Sequence, residues 1–344
     1  MAAEPDKSAR RWWIVAAGTV AVAGLIVGVL ALTGVFSGDD EDDQPVRTPR
    51  PAEPPQEPDP DGEPQAESKP ELTTIRIGGR PTVVVAGEDG VWVADSFSPR
   101  ATVLDSVGAD AEPRTFKLQG PPSDVTANRV AAWYALPDQQ AIERREAADP
   151  AAATKSIDLE GFPVGVAATQ DAVYALSEKS VEVIDVASGE VTDRFDVEGF
   201  PSSIAVGEGG VWVVTDNKEV ARIDPTSGEM DEEPVEIREA FGVAAGEGAI
   251  WIVSASGELA RIDPESLQAT VASQRVQGAL DVAAGEGAVW VTSSKRTVTR
   301  VDPRTLEPIG EPLRVGDEPS SVTVGDGAVW VANGGDGTVT RIEP

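Results

Sequence analysis

The sequence predicts an all-β fold: a seven-bladed β-propeller preceded by one transmembrane helix and a disordered linker rich in proline and acidic residues. Three observations favour the propeller. One apolar phrase with a central aromatic residue occurs seven times, its copies are evenly spaced, and none of them shows helical periodicity. Strand-like repeats with a fixed period near 40 residues are typical of one four-stranded sheet per repeat, and seven such sheets can close around an axis.

The N-terminal part of the chain is predicted to anchor it in a membrane. Residues 12–36 carry no charge over 25 positions, and as a helix they would span about 37 Å, enough to cross a bilayer with some tilt. Lys7, Arg10 and Arg11 precede this segment and an acidic run follows it. We therefore expect residues 1–11 to be cytoplasmic and the rest extracytoplasmic, in a single-pass protein of the cell membrane.

Two other interpretations of the apolar segment stay open. Ala21-Val22-Ala23 could be the cleavage site of a signal peptide, although apolar residues continue for thirteen positions beyond Ala23. Gly24 and Gly28 have a spacing that lets two helices approach closely and would allow a weak homodimer. Small residues are also frequent in any span rich in alanine and glycine, so this spacing alone does not establish pairing.

The linker, residues 37–70, contains nine prolines and eleven acidic against three basic residues. With so few large apolar side chains it cannot bury a core, and we expect it to be disordered or polyproline-like.

The repeat domain, residues 71–344, is aligned by its aromatic position, whose spacings are 41, 41, 38, 39, 39 and 40 residues. Apolar residues occupy both faces of the strand around this position, as expected for a sheet between two neighbouring blades. We therefore interpret the aromatic residues as the packing core between blades. They are Trp92, Trp133, Tyr174, Trp212, Trp251, Trp290 and Trp330.

Within the last repeat, residues 321–324 predict the inner strand, and a Gly-Asp-Gly hairpin leads to a second strand at 328–332. The phrase RIDP and its variants mark the third strand, and a fourth is predicted at, for example, 311–315. The chain ends after the third strand of this repeat. Residues 72–77, which precede the first repeat, are therefore expected to close the ring as its missing outer strand.

The phrases GEGAVWV and RIDP resemble YVTN/NHL-type propeller repeats. Such repeats occur in virginiamycin B lyase-like proteins and in the extracellular sensor portions of some bacterial transmembrane serine/threonine kinases. The resemblance covers residues 72–344 and implies the propeller fold. The lyase chemistry that it also implies uses a histidine general base in a metal-assisted site, and this chain contains no histidine.

Composition restricts the function further. The 28 basic and 59 acidic residues give a net charge of -31, which argues against nucleic acid as a partner. The absence of histidine and cysteine removes the commonest general base, the commonest transition-metal ligand and every thiol nucleophile. We predict no catalytic residue, no metal site and no cofactor.

Acidic residues recur at the centre of the Gly-x-Gly hairpins, where a calcium site is conceivable. We interpret them as solvated turn residues, because consecutive blades hold them apart. They are Glu88, Glu208, Glu247, Glu286 and Asp326.

The opposite face varies more between repeats, and loops there carry phenylalanines beside scattered cations. Such a surface would suit a peptide or an anionic small molecule. The alternative is that each phenylalanine only fills the seam below its loop. The candidate binding residues are Arg80, Phe97, Phe162, Phe200, Phe241, Lys218, Lys295 and Arg296.

Three functions remain open from the sequence. The first is a non-catalytic module that binds or senses a protein or a component of the cell envelope. The second is a histidine-free lyase or hydrolase that uses clustered carboxylates. The third is a structural envelope protein without a specific ligand.

Overall fold

The computed structural model describes residues 70–88, 90–104, 112–152, 155–216, 219–231 and 234–344. These residues form seven four-stranded antiparallel sheets, so the predicted all-β, seven-bladed propeller is confirmed. The predicted transmembrane helix at 12–36 and the linker up to residue 69 lie outside the described residues. Within the described ranges, no helix has the length and apolar character needed to cross a membrane.

The strands are numbered in chain order, and a first strand, β1 (Glu71–Arg76), precedes blade 1. Blades 1 to 3 contain β2 (Val83–Gly87), β3 (Gly90–Asp95), β4 (Arg100–Leu104), β5 (Pro113–Lys117), β6 (Asp124–Ala127), β7 (Ala131–Leu136), β8 (Ala141–Glu146), β9 (Lys155–Asp158), β10 (Pro163–Ala168), β11 (Ala172–Ser177), β12 (Ser180–Asp185) and β13 (Val191–Asp196). Blades 4 to 7 contain β14 (Pro201–Gly207), β15 (Gly210–Thr215), β16 (Glu219–Ile223), β17 (Val235–Glu236), β18 (Ala240–Gly246), β19 (Ala249–Ser254), β20 (Leu259–Ile262), β21 (Ala269–Val271), β22 (Ala279–Gly285), β23 (Ala288–Ser293), β24 (Thr297–Val301), β25 (Leu313–Arg314), β26 (Pro319–Gly325), β27 (Ala328–Asn333) and β28 (Thr338–Glu343). A short 3-10 turn, Pro137–Gln139, connects β7 to β8.

Blades 1 to 6 are each ordered along the chain from the innermost to the outermost strand, and blade 7 takes its outermost strand, β1, from before blade 1. The innermost strands of consecutive blades pack beside one another around the axis, and β26 of blade 7 packs beside β2 of blade 1. The ring is therefore closed.

The closing strand is β1, which pairs with β28 in antiparallel register from Glu71↔Glu343 to Arg76↔Thr338. Ile75 and Ile77 are buried in the same apolar cluster as Trp330. The predicted closure of the seventh blade by residues from before the first repeat is confirmed.

The Gly-x-Gly segments form tight hairpins, as predicted. In blade 4 both central residues have positive φ, 48° at Glu208 and 76° at Gly209. Two-residue hairpins require this geometry, and glycine adopts it without steric cost.

The aligned aromatic residues are buried, none of them more than 4% exposed. Trp212 donates its indole N–H to the carbonyl of Gly207 at 3.0 Å, and the tryptophans of the next three blades repeat this bond. Arg222, the partner of Trp212 on the neighbouring strand, holds its guanidinium 5.7 Å from the ring centroid. These rings are consequently covered and cannot form an exposed binding platform.

The outermost strand of blade 6 is shorter than predicted. Residues 311–315 were expected to form a strand, whereas β25 comprises only Leu313–Arg314. Pro308 and Pro312 flank the start of this segment and have no N–H to donate to a ladder. Blade 6 therefore has a reduced outer edge.

Candidate functional site

The candidate residues that the structure describes lie on one side of the ring, which we call the phenylalanine face. It consists of the loops that enter the innermost strands and the loops that follow the second strands. A pair of hydrogen bonds joins the two kinds of loop in blade 4: Phe200 N–H donates to Asp216 Oδ1 at 2.9 Å, and Asp216 N–H donates to the Phe200 carbonyl at 3.0 Å.

Phe200 is the most exposed large apolar side chain among the described residues, at 65%. Its backbone is fixed by both bonds to Asp216, while its ring stays in solvent. A ring in this position does not fill the seam below its loop. Exposing it costs free energy that a bound partner would recover.

In blade 1 an aspartate carboxylate fixes the backbone of Phe97, as Asp216 does for Phe200 in blade 4. Asp95, at the end of β3, accepts the N–H of Phe97 at 3.0 Å and the N–H of Arg80 at 3.1 Å. The Arg80 guanidinium lies 4.2 Å from the centroid of the Phe97 ring and 3.1 Å from Glu318 of blade 7. The Phe97 ring remains 50% exposed.

Phe162 is 47% exposed on the loop that enters β10. The same loop is held by Glu182, whose carboxylate oxygens accept the Glu160 N–H at 3.2 and 3.3 Å. Burial raises the pKa of Glu182, and a backbone hydrogen bond from Gly161 opposes that effect.

The other candidates behave differently from these three phenylalanines. Phe241 is half-buried and packs against the core of blades 4 to 6, so it does fill a seam. Arg296 is tied to Asp317 of the next blade, with Nε 2.7 Å from Oδ1. Lys295 is exposed and forms no ion pair with any residue that the structure describes. Lys218 lies outside the described residues.

The structure thus brings Arg80 and Phe97 into contact but spreads the remaining candidates around the face. Phe97, Phe162 and Phe200 belong to the loops of blades 1, 3 and 4. They are the only exposed phenylalanines among the described residues.

The opposite side, which we call the turn face, carries the acidic hairpin residues. They were expected to be solvated, but several also link neighbouring blades. Glu208 accepts the N–H of Gly248 at 3.2 Å, and Glu247 accepts that of Gly287 at 3.0 Å. The Arg129 Nε lies 2.9 Å from a Glu88 oxygen, and this pairing lowers the pKa of Glu88. The turn acids therefore also hold the ring together.

Sequence reasoning missed two buried acids on innermost strands, Asp124 and Asp281, both 0% exposed. Asp281 accepts the N–H of Val282 and, across the seam to blade 7, that of Val322, both at 2.9 Å. Burial raises the pKa of Asp281 to about 7, against the effect of these bonds. Asp124 bridges blades 2 and 3 through the Val166 N–H at 2.6 Å.

A signal for these acids was present in the alignment of the repeats. The equivalent position of the innermost strand holds Ser203, Gly242 and Ser321 in other blades. Blade 3 has Gly165 there and blade 1 has Val83. An acid at a position that glycine or serine holds in four of the other five blades, within an apolar strand, indicates a buried structural contact. Within the described ranges, no three acidic residues converge in a way that could hold a metal ion.

Comparison with solved structures finds the same fold in three structures of streptogramin-type lyases. A streptogramin B lyase superposes with a TM-score of 0.66 at 17% identity, covering 79% of this chain and 97% of its own. The virginiamycin B lyase of Staphylococcus aureus, as selenomethionine protein and as an inactive histidine-to-alanine variant with quinupristin, gives 0.66 at 16% identity, covering 80% and 100%. The sequence matches no protein-family profile, and no curated protein is similar to it in sequence. The chain therefore has a virginiamycin B lyase-like propeller fold.

Proposed function

We propose that this chain is a non-catalytic binding module, a propeller that recognises a protein or another component of the cell envelope through its phenylalanine face. The observation that carries the proposal is the exposure of Phe97, Phe162 and Phe200 on that face. Aromatic side chains held on fixed loops are the usual anchors of protein interfaces, because they bury a large area with little loss of conformational entropy.

The construction of the loops supports a binding role over accidental exposure. Asp95 and Asp216 each use a carboxylate to fix the backbone of an exposed phenylalanine. A loop that is already ordered pays less entropy when a partner binds. The Arg80 guanidinium beside Phe97 adds a cation at the same place, where an acidic or aromatic group of the partner could pack.

A lyase or hydrolase is the alternative that the fold suggests. In one of the similar structures, a lyase made inactive by replacing a histidine with alanine was solved with quinupristin. The present chain has no histidine, so no residue could serve as the equivalent of the one that was replaced. An enzyme of this sequence would need a general base other than histidine, such as a carboxylate, and a structural role without a ligand would give the exposed rings no function.

We further propose that residues 12–36 anchor the chain in the cell membrane with residues 1–11 in the cytoplasm. The uncharged length of this segment and the cations before it support this topology. The linker would then hold the propeller outside the membrane. A protease added to intact cells should shorten the protein, and full protection would contradict this topology.

The binding role can be tested in intact cells with a photoreactive amino acid placed at position 200 or, as the matched control, at position 208 on the turn face. We expect a discrete protein adduct from position 200 and none from position 208. Equal adducts from both positions would indicate contact without a defined face. Adducts from neither position would contradict a protein partner on the phenylalanine face.

A further inference from the structure

A cleft of about 490 Å³ opens between blades 5 and 6, on the side of the ring. The cleft lies where β25, the outer neighbour of β24, is only two residues long and pairs with Thr297 and Val298 alone. The seam between blades 1 and 2 is closed by contrast, since Phe116 of β5 packs edge-on against Trp92 and Tyr134. The volume of the cleft lies in the range of small-molecule sites, roughly 300 to 1,000 Å³.

The floor of the cleft is elongated, and its side chains, two threonines and a valine, all carry methyl groups. Thr297, Thr299 and Val301 alternate along β24 and face the cleft, spanning about 13 Å at the usual rise of a strand. Val276 of blade 5 and Leu306 of blade 6 form the walls. Such a groove fits an aliphatic chain that lies along β24.

One end of the cleft is basic. Arg275 and Lys295 line it where β24 begins, next to the phenylalanine face. Arg275 is paired with Glu258 at 2.6 Å, whereas Lys295 has no ion-pair partner among the residues that the structure describes. In a chain with a net charge of -31, an unpaired cation at the end of this groove favours an anionic group at that point.

The only acid of the lining, Glu311, lies further along β24. Ile309 donates its N–H to the Arg300 carbonyl at 2.8 Å, and Leu313 pairs with Val298. Glu311 falls between these two levels and is therefore nearer the middle of the groove than Lys295 is. The cation of Lys295 therefore lies at one end of the groove, and the carboxylate of Glu311 lies nearer its middle.

The backbone of β24 offers little to an extended peptide. Thr297 and Val298 are paired with β25, and the Arg300 carbonyl is occupied by Ile309. Strand addition is consequently disfavoured, and a ligand in the cleft is recognised mainly by side chains.

We propose that this cleft binds a single anionic amphiphile, a carboxylate with an unbranched aliphatic chain, with the carboxylate at Lys295 and the chain along β24. This site is separate from the proposed protein-binding role of the exposed phenylalanines and does not depend on it.

The test is calorimetric titration of the full chain, and in parallel of residues 70–344, which contain both strands of every pair. The probes are hexanoate, octanoate and decanoate below the concentration at which they aggregate, beside the three matching alcohols. We expect affinity to rise about fourfold for each added methylene and each carboxylate to bind about two to five times more tightly than its alcohol.

Three variants locate the charge. Lys295→Gln should weaken each carboxylate to the level of its alcohol and leave alcohol binding unchanged. Lys179→Gln, at the matching loop of blade 3 and also exposed, should change neither. Glu311→Gln should not weaken any carboxylate. All three sites are exposed, so melting temperatures should stay close to that of the parent.

The proposal would be overturned by any of three results: no binding by either series, equal binding of carboxylates and alcohols, or carboxylate binding that survives Lys295→Gln. A negative result here would leave the crosslinking test at position 200 unaffected.

Discussion

At the scale of single residues, Asp281 shows how the ring joins its blades. Innermost strands of neighbouring blades pack together without pairing, and a side chain supplies the missing acceptor across the seam. Ser321 does the same between blades 7 and 1, where its hydroxyl accepts the Val84 N–H at 3.3 Å. The acid at this position differs from the serine because it can be charged.

The charge state of Asp281 should make one seam dependent on pH. Its pKa is about 7 in the folded protein and about 3.9 in an unfolded chain. Between these values the folded state binds the proton more tightly, so the stability from this group is lost as pH rises from about 4 to about 7. The full effect would be on the order of 4 kcal/mol.

The measurement is the free energy of unfolding of the parent minus that of Asp281→Asn, determined by denaturant titration at several pH values. Taking the difference removes the contribution of the other acids. We expect it to fall between about pH 4 and pH 7 and to be level outside that window. A difference that is constant across the window would mean that Asp281 does not titrate there.

At the scale of elements, β1 is the strand on which ring closure depends. Its side chains alternate, so that Ile75 is buried against blade 1 and blade 7 while Thr74 is exposed. The sequence predicted this strand because the last repeat was one strand short.

Ile75→Asp in the full chain should therefore lower the free energy of unfolding by at least ~3 kcal/mol, since it places a charge in an apolar cluster. Thr74→Asp is the matched control on the solvent side of the same strand and should change it by less than about 0.5 kcal/mol. The measurement is the melting temperature of each variant, determined by thermal unfolding. Equal melting temperatures would show that β1 contributes little to closure.

The elements also show where sequence reasoning stops. Repeat spacing, hairpin turns and closure follow from local patterns that each blade repeats, and they were predicted. The length of β25 follows from the prolines of its own repeat, Pro308 and Pro312, which the strand prediction overlooked. The packing of Phe241 and the burial of Asp281 depend on the neighbouring blade, which a pattern within one repeat does not describe. The cleft between blades 5 and 6 was unforeseen for the same reason.

At the scale of the whole molecule, the two sides of the ring are built differently. The turn face uses Glu88, Glu208 and Glu247 to link neighbouring blades. The phenylalanine face leaves its aromatic rings in solvent while fixing the backbones that carry them. We expect a binding module to be a rigid ring in which the polar groups of one side bond to neighbouring blades while the other side exposes aromatic rings.

The central claim is that the exposed phenylalanines bind a partner and do not support the fold. The most direct test places the photoreactive residue at position 162 in two variants, Phe200→Ala and Trp212→Ala. For each variant the yield of the crosslinked adduct and the melting temperature are measured. Phe200→Ala should reduce the adduct severalfold with the stability changed by less than about 0.5 kcal/mol. Trp212→Ala should cost about 3 to 5 kcal/mol. A melting temperature lowered equally by both substitutions, with the adduct unchanged in folded protein, would contradict the account.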